Sequence, residues 1–124
     1  MKRLPLLAGV MACSTVFPGQ LLAHAFPENS SPHVGATIEK SPSQVKIWFD
    51  AHLEPLFDEL LVKNAKGIVV SSGKAHVDAN NPALLEVSLH PDLPPGRYDV
   101  HWRVTARDGH RTEGNFTFTV RPRR

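Results

Sequence analysis

Apolar residues recur at every second position through most of this chain, and no segment sustains the 3.6-residue spacing of a helix. Val45, Ile47 and Phe49 share one parity, with Lys46 and Trp48 on the other. Leu85, Val87 and Leu89 alternate with Glu86 and Ser88, and Tyr98, Val100, Trp102 and Val104 alternate with Asp99, His101 and Arg103. Phe116, Phe118 and Val120 repeat the pattern near the C-terminus. Successive side chains of an extended backbone point to opposite faces, so each run reads as a half-buried strand. Residues 60–63 lead through Asn64-Ala65-Lys66-Gly67, a turn with glycine at its end, to Ile68-Val69-Val70 as a hairpin partner. Residues 71–82 are the loosest segment, open to a strand or a loop crossing between sheets, and read best as a long connection with a short strand in it. Eleven prolines and eight glycines punctuate the strands at the spacing of an all-β sandwich.

The first 23 residues follow other rules. Lys2 and Arg3 precede a mostly apolar or small stretch, and Pro18-Gly19 breaks any helix before a small-residue end. That is the build of a secretory signal peptide. A membrane anchor needs about 20 uninterrupted apolar residues, and Pro5, Ser14, Thr15, Pro18 and Gln20 interrupt this one. Three processing points stay open. Cleavage after Ala23 leaves His24 as the new N-terminus. Cleavage after Ala25 fits a small-x-small pattern better and removes His24. A lipobox, Val10-Met11-Ala12 before Cys13, is the third. The first divides the chain into a signal at 1–23 and one β domain at 24–124, large enough for a single core.

Removing Lys2 and Arg3 takes away the formal charge of +2 and leaves basic and acidic residues balanced at 12 each. The pI of about 8.9 therefore says little about the exported domain. The tail Arg121-Pro122-Arg123-Arg124 is too short for a nucleic-acid surface. No G-x-S-x-G or similar nucleophile signature is present. The only cysteine, Cys13, and both methionines, Met1 and Met11, lie in the leading segment, whereas all seven histidines follow it. A metal site in the domain would be built from nitrogen and oxygen, which favours Cu(II), with Zn(II) and Ni(II) as weaker alternatives.

One set of residues fits that description. A terminal His24 offers its α-amine and its imidazole, and Asp108-Gly109-His110 adds a carboxylate oxygen and a third nitrogen. Three nitrogens and one hard oxygen near a plane suit one Cu(II). Positions i and i+2 of an extended backbone project to one face, close enough to share an ion, and Gly109 leaves room between them. The amine (reference pKa about 8) and the imidazoles (about 6.5) must shed protons to bind, so affinity should fall with acid. Among the other histidines, His101 is expected to face solvent and His33 and His90 to lie in surface loops. His52 and His76 remain candidates for a further ligand. Trp102 reads as core, and Trp48 as an interface or edge residue.

The chain also resembles a known family. His24-Ala25-Phe26, Ser31-Pro32-His33-Val34-Gly35, the strand at 45–49, and Pro95 through Val104 followed by Asp108-Gly109-His110 and Gly114-Asn115-Phe116-Thr117-Phe118 look like the CopC-type periplasmic copper-binding domain. The resemblance covers residues 24–124. It implies an immunoglobulin-like or cupredoxin-like Greek-key β-barrel, periplasmic location, and Cu(II) held by His24, Asp108 and His110 as cargo of a carrier or buffer, not an enzyme. A separate inner-membrane copper transporter is the implied partner, with no nucleic acid and no membrane span in this chain. Two departures stand out. The middle segment offers His76 but no methionine for a Cu(I) site, and Ala51, between Asp50 and His52, stands where some members have a glutamate. Two readings compete with the carrier: a histidine-brace copper oxidase, and an immunoglobulin-like structural module whose triplet is only a turn.

Overall fold

The computed structural model describes residues 25–122. Eight strands follow one another: β1 (Pro27–Ser31), β2 (Thr37–Ile38), β3 (Gln44–Phe49), β4 (Glu59–Asn64), β5 (Ser71–Asp78), β6 (Asn81–Leu89), β7 (Gly96–Thr105) and β8 (Arg111–Val120). They form two four-stranded sheets, ordered β1-β3-β6-β5 and β2-β8-β7-β4. Every pairing is antiparallel except β2 with β8. The expected all-β, single-domain sandwich is what the chain adopts.

The alternation explains why the sheets close on each other. Val45, Ile47 and Phe49 of β3, Leu85, Val87 and Leu89 of β6, Tyr98, Val100, Trp102 and Val104 of β7, and Phe116, Phe118 and Val120 of β8 are all buried in one core. Burying such side chains stabilises by about 1.5–3 kcal/mol each before chain entropy is counted. Phe49 meets Trp102 edge-to-face across the two sheets, with ring centroids 5.2 Å apart at 73°. Tyr98 stacks on Phe118 within one sheet and donates its hydroxyl hydrogen to the carbonyl of Pro94. Trp102 pairs with Gly114 in the β7–β8 ladder. Its indole lies directly against that residue, where an added Cβ would stand 2.6 Å from Cζ2.

Three local expectations need correction. Residues 71–82 are not a long connection: Ser71–Asp78 is an eight-residue edge strand, and β6 begins at Asn81. Its register slips between Ser72 and His76, with Gly73 at φ +75°, so bulging hides the period-two pattern. The hairpin after β4 is brief. Asn64 and Val62 bond to Ile68 and Val70, and the chain then crosses to the other sheet as β5. Trp48 is no edge residue. It sits half-buried on the outer face of β3, an inner strand, opposite Asn29 and Leu84. As expected, Trp102 is core and His33 and His90 are exposed.

Candidate metal centre

One end of the sandwich gathers three segments: the start of the described chain, the β3–β4 loop, and the β7–β8 turn. Leu53, fully buried, forms an isolated bridge with Ala106. The Arg107 amide donates to the His52 carbonyl at 3.0 Å, and the Glu54 amide donates to the Thr105 carbonyl at 2.8 Å. The β3–β4 loop thus splints the turn that carries the triplet.

That turn is tighter than the extended backbone expected for Asp108-Gly109-His110. The Gly109 amide donates to the Ala106 carbonyl at 2.8 Å, and the Ala106 amide donates to the His110 carbonyl at 2.9 Å. Gly109 has φ +92°, a left-handed conformation that glycine adopts without Cβ strain. The Asp-Gly pair forms a turn here because the hairpin must reverse between two long strands. The Asp108 side chain completes it, with Oδ1 accepting from the His110 amide at 3.0 Å.

The turn nonetheless brings the two side chains together. Asp108 Oδ2 lies 3.0 Å from His110 Nδ1, and both side chains are partly exposed. Two donor atoms about 2 Å from a shared divalent ion and at right angles stand roughly 2.8–3 Å apart, so the separation matches neighbouring ligands of one metal. A carboxylate engaged in this way keeps lone pairs for an ion. Among the described residues, no group of three or more His, Cys, Asp or Glu side chains forms a metal cluster. Asp108 and His110 thus stand as a pair among the described residues.

The other expected ligand, His24, lies outside the described residues, as do the signal segment 1–23 and Cys13. Ala25 is fully buried, and its carbonyl accepts a hydrogen bond from Thr112 Oγ1 at 2.7 Å. Thr112 is two residues past His110, so the backbone leading to residue 24 is tethered beside the triplet.

Neither further candidate joins this pair. His52 is on the splinting loop with an exposed side chain. His76 lies on the other sheet, with Nε2 3.2 Å from Glu86 Oε1. His101, expected to face solvent, is half-exposed and has Nδ1 2.8 Å from Asn115 Oδ1. Sequence reasoning missed two polar groups at this end. Asp50 binds the Phe26 backbone, and Asp58 Oδ1 accepts from the Thr105 amide at 3.0 Å. Burial pushes the Asp58 carboxyl up to about 6, against the lowering effect of the Thr105 bond. Its Oδ2 is buried with no hydrogen-bond partner. Asp58 belongs to a cleft of about 580 Å³ that also touches Leu56, Phe57, Lys74 and Arg111. The apolar residues Leu56 and Phe57 offered no period to mark it.

Known proteins agree with this architecture. The CopC domain profile matches residues 27–121. Copper transport protein CutJ of Bacillus subtilis is 30% identical over 103 residues, which cover 83% of this chain and 19% of that longer relative. Protein YobA of Escherichia coli is 29% identical over 112 residues, 90% of each chain. The crystal structure of CopC from Methylosinus trichosporium OB3b matches with a TM-score of 0.75 at 33% identity, covering 82% of this chain and 97% of that one. PcoC, a methionine-rich copper resistance protein from Escherichia coli, matches with a TM-score of 0.68 at 26% identity, covering 79% and 99%. With the profile spanning nearly all of the described residues and the sandwich shared with these structures, the chain belongs to the CopC domain family.

Proposed function

We propose that the protein is a periplasmic Cu(II) carrier or buffer in copper homeostasis or resistance. One Cu(II) is its cargo, held by the His24 α-amine and imidazole, the Asp108 carboxylate and the His110 imidazole. The observation that supports this reading is the tether of Ala25 to Thr112, two residues past His110, which holds the start of the domain at the end that carries the Asp108–His110 pair. The absence of sulfur after Met11 and Cys13 favours the oxidised ion. The relatives named for copper transport and copper resistance support a copper role. The Asp108 carboxylate would add a fourth strong donor beside three nitrogens, leaving oxygen only weaker positions, which favours holding the ion over redox turnover. Delivery to a separate inner-membrane transporter fits a one-ion carrier.

The test is titration of the exported protein with Cu(II), after mass spectrometry of its N-terminus. The expected result is a terminus at His24 and one tightly bound Cu(II). Asp108→Ala and His110→Ala should each weaken binding by orders of magnitude, and His101→Ala should change it little. A terminus at Phe26 or Cys13, or binding indifferent to Asp108→Ala and His110→Ala, overturns the assignment.

A further inference from the structure

Two side chains from opposite sheets grip a single peptide group next to the metal pair. The Ala25 carbonyl accepts from Thr112 Oγ1 of β8 at 2.7 Å. On the other side of the same peptide bond, the Phe26 amide donates to Asp50 Oδ1 at 2.7 Å. The Asp50 amide donates back to the Phe26 carbonyl at 2.9 Å, so Asp50, just past β3, closes a two-bond ring with Phe26. Ala25 is fully buried in the core. The peptide plane is pinned at both edges, and the Ala25 methyl group before it is locked in the core.

We propose that Asp50 and Thr112 are positioning residues for the copper site: they fix the Ala25–Phe26 peptide, and with it the start of the domain, beside the turn that carries Asp108 and His110. The proposal rests on the copper reading above. Without the clamp, residue 24 would be a freely moving chain end, and its two nitrogens would have to be ordered at the moment of binding. With it, the neighbouring peptide is ordered during folding, which lowers the cost of ordering left to the moment of binding. The clamp also needs Ala25 itself. A chain beginning at Phe26 would lose the buried methyl group and the carbonyl that Thr112 holds, and the clamp with them.

Four variants of the full exported protein test this: Asp50→Ala and Thr112→Val remove the gripping atoms, while Asp50→Asn and Thr112→Ser retain an acceptor and a hydroxyl. Groups that orient ligands without touching the metal typically contribute 10- to 100-fold to affinity. The expectation is that Asp50→Ala and Thr112→Val weaken Cu(II) binding by that factor in a competition titration. They should also alter the Cu(II) EPR hyperfine splitting and speed amide exchange at Phe26 in the metal-free protein. Asp50→Asn and Thr112→Ser should restore most of all three. If the wild type binds one Cu(II) and both removal variants bind it equally well with unchanged spectra, the clamp is refuted and the copper site stands. If the wild type starting at His24 takes up no Cu(II), the copper reading fails and the positioning role fails with it. Rapid Phe26 exchange in the wild type would refute the clamp whatever copper does.

Discussion

Replacing Gly114 by alanine should destabilise the sandwich through one identifiable collision. A Cβ at Gly114 would stand 2.6 Å from Cζ2, 2.8 Å from Cε2 and 3.0 Å from Nε1 of Trp102. Carbon atoms in good contact sit about 3.5–4 Å apart, so the ring must move by about 1 Å or the strands must part. Movement is opposed on the other side by Phe49, whose ring packs edge-to-face on the indole. Parting would open the ladder at the Trp102–Gly114 pair. Overpacking of this kind costs about 1–3 kcal/mol. Loss of glycine's freedom in the unfolded chain offsets about 0.4–1 kcal/mol of that. The net expectation is a loss of about 1.5 kcal/mol, or a Tm lower by roughly 6–12 °C for a domain of this size. Urea and thermal unfolding of metal-free protein measure it, with Trp102→Phe as the partner variant. Phenylalanine lacks the fused indole edge formed by Nε1, Cε2 and Cζ2, so Gly114→Ala should cost almost nothing in that background. A Gly114→Ala protein as stable as wild type, or one equally destabilised with Trp102→Phe, would refute the packing argument.

Two further outcomes follow from the site end of the sandwich. Leu53→Ala removes a fully buried side chain at the bridge to Ala106; it should cost about 2–5 kcal/mol by urea unfolding, and a loss below about 1 kcal/mol would show that the loop is not anchored there. Asp58 has a folded-state pKa near 6, above the ordinary 3.8, so its favourable contribution is full below pH 3.8 and is lost as pH rises through 6. Discounted for the solvent that reaches its cleft, the Asp58→Asn variant should gain about 1 kcal/mol relative to wild type between pH 4 and pH 7.5, and a gap that stays flat between those pH values would sink the assignment.

Legibility in the sequence tracked burial. β3, β7 and β8 could be read from alternation because each has one face in the core and one more exposed, and β6 because Glu86 and Ser88 interrupt its apolar residues, although Glu86 is itself buried. β1 and β5 could not. Pro27–Ser31 and Ser71–Asp78 are edge strands made largely of polar or small residues. What makes them strands is the backbone ladder offered by β3 and β6, and hydropathy does not record that. The Asp108–His110 proximity was legible because spacing in a short turn limits where two side chains can go. Its turn geometry was not, since an Asp-Gly-His run permits both an extended and a reversed backbone. Asp50 and Thr112 left no trace in spacing, because their partners are backbone groups 24 and 87 positions away.

The difference between those separations also orders the assembly of the molecule. β7 and β8 pair through ten residues, from Gly96 with Val120 to Thr105 with Arg111, and only a short turn has to close. Loop-closure entropy favours such local pairing early. The bond from Thr112 to Ala25 closes a loop of 87 residues and depends on both sheets being in place. On the proposed site, a chain still folding presents copper with the triplet alone, and the terminal nitrogens join only when the last strand docks. On that reading, tight copper uptake would wait for the contact between Thr112 and Ala25, and capture of the ion would mark a finished molecule.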